Sequence, residues 1–245
     1  MKLSIVIPAY NEEDNLSHDC LFPILKYFET QDFSGEIILV NDGSSDNTLN
    51  YLKKFATSKT NVKVVNNPHM GKAASIISGV KNASGEIILF TDMDQATPIT
   101  EFSKFIGRFS SGYEIVIGSR HKREGAPIYR QILAYGMVIL RTLVLNLPFS
   151  DTQCGFKAFS KSSAKKIFPI LERIHQPKSI TVANTNPGFD LEILYVAKKL
   201  GFKIAQVPVS WHYVESKRVS FVKDAIGGLK ELFAVRLRSL TNKYI

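Results

Sequence analysis

The sequence is short of the residues that staple or metallate a small fold. Its only cysteines are Cys20 and Cys154, too few for a thiolate zinc site or a disulfide framework, so a reducing compartment is the simpler expectation. Cys154 lacks an evident base partner and reads as a small buried residue. None of the five histidines stands in an H-E-x-x-H array, and His18, His69 and His175 read as surface residues. No G-x-G-x-x-G follows the first strand-like run, which argues against a dinucleotide-binding Rossmann enzyme. Gly71-Lys72 is not a Walker A pair, because position 66 is Asn and position 73 is Ala. Kinase and P-loop chemistry are therefore disfavoured. Acidic charge is also scarce: 22 carboxylates stand against 31 lysines and arginines, a formal net charge of +9. That excess favours phosphate-bearing partners such as nucleotides, nucleic acid or an anionic membrane surface. The apolar run at the start is too short for a secretory signal, so secretion is not expected.

What is present is an alternating α/β pattern. Almost continuous apolar runs at 3–9, 36–41, 62–66, 86–91 and 114–118 read as strands covered on both faces. Helical patterns lie between them at 12–27, 46–56, 71–82 and 99–109. The alternation predicts a doubly wound, mostly parallel sheet with a ligand crevice outside the carboxyl ends of its strands. Further on, 131–149 carries Arg141 as its only charge. A spanning helix needs about 20 predominantly apolar residues, so this stretch reads as a helix either buried or lying at a membrane interface. A helix over 187–200 and a strand near 203–208 follow. Over 219–240, Val222, Ile226, Leu229, Phe233, Leu237 and Leu240 share one stripe, while Lys223, Lys230, Arg236 and Arg238 lie mostly elsewhere. That is a basic amphipathic helix, compatible with a membrane surface or with packing on the domain. The expected organisation is one domain over 1–218 and a C-terminal amphipathic helix over 219–245.

Carboxylates gather at the predicted strand ends. The hexapeptide Ser-Gly-Glu-Ile-Ile-Leu occurs at 34–39 and again at 84–89, and each glycine is followed seven residues later by an aspartate, Asp42 or Asp92. Two strands thus deliver a carboxylate to one sheet edge, unless these aspartates only cap helices. Asp92 and Asp94 are two apart in an extended segment and point the same way. Two such oxygen donors repel unless a cation lies between them, and Mg²⁺ or Mn²⁺ holding a diphosphate suits them. Arg120 abuts the end of the next strand, ahead of His121, Lys122 and Arg123, and with Arg130 it is a candidate phosphate ligand. Lys72 opens a helix, where backbone N–H groups and an ammonium can meet an anion.

Four segments resemble the family 2 glycosyltransferases and their GT-A nucleotide-sugar domain in order and spacing. They are Pro8-Ala9-Tyr10-Asn11-Glu12-Glu13, Asn41-Asp42-Gly43-Ser44-Ser45-Asp46, Gly71-Lys72 and Asp92-Met93-Asp94. Gly118-Ser119-Arg120, Asp151-Thr152-Gln153-Cys154-Gly155-Phe156-Lys157 and Gly188-Phe189-Asp190-Leu191-Glu192 resemble the polyprenyl-phosphate transferases. Among these the dolichyl-phosphate glucosyltransferases are nearest and the mannosyltransferases next, over roughly 3–220. The resemblance implies that Pro8, Tyr10 and Glu12 line a nucleoside pocket and that Asp42 bonds the base. It implies that Asp92 and Asp94 hold the nucleotide sugar, with Asp94 the direct metal ligand, and that Arg120 and Arg130 face the acceptor phosphate. Lys217 would close over the diphosphate, and Asp190 would either touch the sugar or cap a helix. Both subgroups show a departure: mannosyl relatives carry Gln two positions after the second aspartate, where this chain has Ala96, and glucosyl relatives commonly carry a small residue at 95, where it has Gln95.

The expected reaction is transfer of a hexose, glucose favoured, from a nucleotide-diphosphate sugar (UDP-glucose favoured) to a polyprenyl or dolichyl phosphate. It would occur peripherally on the cytoplasmic face of a membrane. GDP-mannose as donor, or a sugar hydroxyl as acceptor with Asp151 or Asp190 as base, are the alternatives. A basic nucleic-acid-binding module is disfavoured by the scattered cations and the missing RNA-recognition aromatics. A nucleotidyltransferase would need a glycine- and arginine-rich first loop, where Pro8-Ala9-Tyr10-Asn11-Glu12 stands.

Overall fold

The computed structural model describes residues 1–120, 128–175, 188–212 and 221–244, leaving aside the side chains of 128–134 and 221–225. The chain order is β1 (Lys2–Ala9), α1 (Glu13–Ser17), α2 (Phe22–Glu29), β2 (Ser34–Asp42), α3 (Thr48–Ala56), β3 (Val62–Asn67), α4 (Lys72–Lys81) and β4 (Ile87–Phe90). A 3₁₀ turn at Ile99–Phe102 leads into α5 (Ser103–Ser110), β5 (Ile115–Arg120), α6 (Ile128–Leu145), β6 (Lys157–Ser160), α7 (Lys161–Ile174), α8 (Gly188–Lys199), β7 (Ile204–Val209) and α9 (Phe221–Leu240). The seven strands form one sheet in the order β3-β2-β1-β4-β6-β5-β7. Apolar residues cover both faces: Val6, Ile38, Ile77 and Phe159 belong to one cluster, Ile5, Leu39, Phe102 and Phe156 to the other.

The expected doubly wound α/β sheet is present, with one strand reversed. β6 runs antiparallel between β4 and β5, placing Lys157 opposite both Phe90 and Ile117. Entry is therefore at the carboxyl ends of its neighbours, so the preceding segment 151–156 is delivered to the crevice edge. β6 has four residues and starts with a lysine, too short and too polar to register as a strand.

Other differences have local causes. The expected helix 12–27 is broken into α1 and α2, because Asp19 is left-handed (φ 56) and Pro23 restarts the helix in its first turn, where no backbone donor is needed. α6 begins earlier than expected and ends at Leu145, because Asn146 takes φ 54 and Pro148 follows. α7 escaped the sequence reading altogether. The repeated hexapeptide has a packing explanation: its copies touch. The buried Glu36 carboxylate accepts from the Ser84 amide (2.7 Å), Ser84 Oγ (2.6 Å), Ser4 Oγ (2.6 Å) and Lys63 Nζ (2.8 Å). A Cβ on Gly85 would lie 2.6 Å from the Ser4 amide nitrogen, so the close approach of β1 to this segment requires glycine.

α6 is amphipathic in an inverted sense. Its Arg141 is buried (9% exposed) and donates to Thr152 Oγ1 (3.2 Å) and the Phe149 carbonyl, tying down the loop that carries Asp151. Tyr135, Ile139 and Leu143 face outward, Leu143 being 78% exposed. On α9 the outward stripe is Ile226, Leu229, Phe233, Leu237 and Leu240, while Leu232 and Val235 are buried. α9 packs on both α8 and α6. Among the described residues no helix is long and apolar enough to cross a membrane.

Candidate active site

Asp92 and Asp94 emerge directly beyond β4, and both line one pocket with Arg120 from the end of β5. Asp92 Oδ1 accepts from Lys72 Nζ at 2.5 Å, an ion pair that reaches from the first residue of α4. Asp94 Oδ1 accepts from the Ala96 amide at 3.0 Å. Burial and the neighbouring Asp92 charge push the Asp94 carboxyl above its ordinary value. Burial opposes the charge on Lys72, yet Asp92, then Asp190 and Asp94, hold its ammonium above the ordinary lysine value.

The opposite wall is a gripped arginine. Arg120 donates Nε to Asp151 Oδ2 (2.7 Å) and Nη2 to Oδ1 (3.0 Å), and its amide also donates to Oδ2 (3.1 Å). Burial alone would raise the Asp151 carboxyl, but the Arg120 hydrogen bonds and charge bring it down to about 2. Arg120 is likewise held above its ordinary value, and its guanidinium lies 5.7 Å from the Trp211 ring centroid. Behind the pocket, fully buried Lys157 donates to Asp190 Oδ1 and to the Cys154 carbonyl, both at 2.5 Å. Burial raises the Cys154 thiol, in keeping with an inert role.

The residue model of Glycosyl transferase family 2 matches positions 4–168. The chain is a family 2 glycosyltransferase. It is 37% identical over 230 residues to dolichyl-phosphate beta-glucosyltransferase ALG5A of Trichomonas vaginalis, covering 89% of this chain and 68% of that one. To the human dolichyl-phosphate beta-glucosyltransferase it is 32% identical, covering 99% of this chain and 77% of the relative. Among solved structures, mannosyl-3-phosphoglycerate synthase from Rubrobacter xylanophilus superposes with TM-score 0.70 at 17% identity, over 99% of this chain and 75% of that one. Glucosyl-3-phosphoglycerate synthase from Mycobacterium tuberculosis, in complex with Mn²⁺, uridine-diphosphate and phosphoglyceric acid, gives 0.65 at 19% identity, over 96% and 78%. The expected GT-A fold is thereby met.

In this transferase the nucleoside-side candidates lie on a second cluster around the ends of β1 and β2. The loops after these strands are stitched together: the Ser45 amide donates to Asn11 Oδ1 (2.9 Å) and the Glu12 amide to Thr48 Oγ1 (2.8 Å). Glu12 Oε2 accepts from Asn15 Nδ2 at 2.5 Å. Pro8 pairs with Val40 in the sheet, and Tyr10 stacks on His69 at 4.0 Å and 13°. Asp42, 2% exposed, accepts from the Met70 and Gly71 amides (both 2.9 Å) and from His69 Nδ1 (2.8 Å). Its carboxylate therefore holds the 69–71 turn, outside the pocket shared by Asp92 and Asp94.

Two histidine expectations are corrected. His69 is clamped between Tyr10 and Asp42, and His175 bonds buried Glu192; both side chains are largely covered. His18 is exposed as expected. Lys217 lies outside the described residues, and so does the Arg130 side chain. The sequence reading gave no role to Gly155, Lys157 or Trp211. Lys157 had no signal beyond its place at the end of the Asp151–Lys157 segment, and Trp211 none beyond being the single tryptophan.

The donor set fits a hard divalent cation. Asp92 and Asp94 supply adjacent carboxylates, and burial together with the Asp92 charge raises Asp94. No group of three His, Cys, Asp or Glu side chains that could hold a metal occurs among the described residues. Mg²⁺ is held in just this way, by one or two carboxylates with water and substrate phosphates completing the shell.

Proposed function

We propose that this transferase moves glucose, with inversion at the anomeric carbon, from UDP-glucose to a polyprenyl phosphate of the dolichyl type. The observation that carries the reading is one pocket in which Asp92 and Asp94 face an arginine gripped by Asp151. The relatives' names support the donor sugar and the lipid acceptor.

The acceptor chemistry follows from which groups are free to act as a base. Asp151 is held near pKa 2 by Arg120, and Asp190 is paired with buried Lys157. Neither is poised to take a proton from a sugar hydroxyl, which needs a base matched to the working pH. A phosphate monoester needs no such base, because its second ionisation lies near ~6 and its oxygen is already an anion. Arg120 binds and orients that phosphate, with Arg130 as its expected second contact, and Asp151 keeps the guanidinium in place. Lys72 neutralises charge on the departing diphosphate, with Lys217 as its expected partner. A Mg²⁺ or Mn²⁺ held by Asp92 and Asp94 would supply Lewis-acid stabilisation of the same leaving group. Pro8, Tyr10 and Glu12 form the nucleoside side, and Asp42 supports it by holding the 69–71 turn.

The membrane is the natural place for this acceptor. The outward apolar stripes of α6 and α9, with exposed Lys230 and Arg236 beside the latter, suit peripheral docking on the cytoplasmic face. The test is to offer labelled UDP-glucose and GDP-mannose separately with polyprenyl phosphate and Mn²⁺ or Mg²⁺, counting label in the organic phase. Label from UDP-glucose, abolished in a folded Asp94→Ala variant, is expected. Transfer only from GDP-mannose would reassign the donor, and no lipid-borne label would overturn the proposal.

A further inference from the structure

We propose that Trp211 selects the acceptor, its indole receiving the first isoprenoid unit next to the phosphate bound by Arg120. This rests on the polyprenyl-phosphate reading above and assigns the part of the pocket that reads the lipid.

Trp211 follows the end of the edge strand β7 and is 39% exposed. Its segment is fixed, because the His212 amide donates to the Ala96 carbonyl at 2.8 Å and the Ala96 amide donates to Asp94 Oδ1 at 3.0 Å. The indole thus stands on a backbone tied to the loop that carries Asp94. The Arg120 guanidinium lies over the ring, 5.7 Å from its centroid, and is gripped by Asp151. A cation over an indole face is an attractive arrangement that holds both groups in position. Thr91, Ala96, Thr97, Gln153 and Gly155, which also line the pocket, are small or polar. Among the described residues lining the pocket, Trp211 therefore offers the one large apolar surface.

A pocket wall that pairs a fixed guanidinium with an adjoining aromatic face matches a ligand whose anion adjoins hydrocarbon. A polyprenyl phosphate has that form: the phosphate meets Arg120 and the first five-carbon unit lies on the indole. A hexose can also stack on tryptophan, but here the indole is coupled to the acceptor cation rather than to Lys72. The assignment to the lipid follows from that coupling.

The experiment compares the full chain with Trp211→Ala and Trp211→Phe. It measures KM for a polyprenyl phosphate, KM for UDP-glucose, and hydrolysis of UDP-glucose without acceptor. Losing one apolar face should raise the acceptor KM about tenfold in Trp211→Ala, equivalent to ~1.4 kcal/mol. Donor KM and donor hydrolysis should stay within about twofold, and Trp211→Phe should restore most of the acceptor affinity. Preference for a polyprenyl phosphate over a short alkyl phosphate should narrow by the same factor. An unmoved acceptor KM, an equal rise in both KM values, or a rise in donor KM alone would overturn the assignment; the last would give the indole to the hexose. If the unaltered protein makes no lipid-linked product, the acceptor reading itself falls. That result is distinct from an active Trp211→Ala whose acceptor KM has not moved.

Discussion

Gly155→Ala is the smallest change that tests whether Asp92 acts from the position the structure gives it. A Cβ at 155 would lie 2.0 Å from Asp92 Oδ2, 2.7 Å from its Cγ and 3.1 Å from its Oδ1. An ordinary carbon–oxygen contact needs more than 3 Å, so the carboxylate must retreat by roughly 1 Å. Asp92 is short and its oxygens carry the 2.5 Å contact to Lys72, so this retreat strains that ion pair as well. Stability should suffer little, because Asp92 is part-exposed and can swing toward water, and Gly155 has no left-handed φ to forbid alanine. Activity should suffer much more: a displacement of about 1 Å in a positioning group can cost ~10²-fold. The assay is label transfer to the organic phase across a Mn²⁺ titration, beside a thermal melt. The expected result is a turnover lower by about two orders of magnitude and a higher Mn²⁺ requirement, with Tm within a few degrees. Unchanged turnover and Mn²⁺ dependence in a folded Gly155→Ala would refute the assignment of Asp92 to the metal and diphosphate.

Glu36 sits at about pKa 2 despite burial, because Lys63, Ser4 and Ser84 favour its charged form. A depressed folded pKa adds stability that is complete above the unfolded value of ~4.3 and is lost as pH falls toward 2. That amounts to roughly 3 kcal/mol. Urea melts of wild type and Glu36→Gln from pH 7 to pH 2.5 should converge at the acid end; parallel curves would contradict the buried network. Asp151→Asn should cut transfer at least about tenfold by freeing the Arg120 fork and cost ~2 kcal/mol of stability, and Lys in place of Arg120 should not restore bidentate binding. Glu192 is fully buried and receives Arg238 Nη1 (2.9 Å), Tyr244 Oη (2.5 Å) and His175. Glu192→Ala strands these partners, so it should lower unfolding free energy by about 3–5 kcal/mol and expose α9 to limited proteolysis.

The parts of this fold legible in the sequence are those made by local pattern. Parallel strands such as β1 and β2 are long, apolar and β-branched, and the Asp92–Asp94 spacing follows from strand geometry alone. What stayed hidden depends on register between distant segments. β6 has only Lys157–Ser160, and its direction is set by pairing with β4 and β5, not by its own residues. The same reversal brings Gly155 against Asp92 and Lys157 under Asp190, contacts across 63 and 33 residues that no motif spacing encodes. Arg120 and Asp151 were each visible as candidates, yet their bidentate grip was not, because it joins two separate elements. His69 looked like a surface residue in an Asn-Pro-His-Met turn; the stack with Tyr10 and the bond to Asp42 came only with tertiary placement.

Those hidden pairings decide how the site handles charge. Lys72 answers Asp92, Arg120 answers Asp151 and Lys157 answers Asp190, each within 2.7 Å, while Asp94 has no cation of its own among the described ion pairs. Among these described residues four carboxylates against three cations leave about one negative charge, concentrated where Asp94 already resists ionisation. Such a site attracts a divalent cation and repels a bare diphosphate; once the cation is bound, the balance reverses to about one positive charge. Nucleotide-sugar binding should therefore be coupled to metal through charge alone, at fixed geometry. Calorimetric titration of UDP into the chelator-treated protein should show affinity at least about tenfold weaker than with Mn²⁺. Asp94→Asn, which removes the excess negative charge, should weaken UDP binding with Mn²⁺ while strengthening it without metal. If Asp94→Asn weakens UDP binding equally in both conditions, the aspartate acts as a direct contact and the charge argument is wrong.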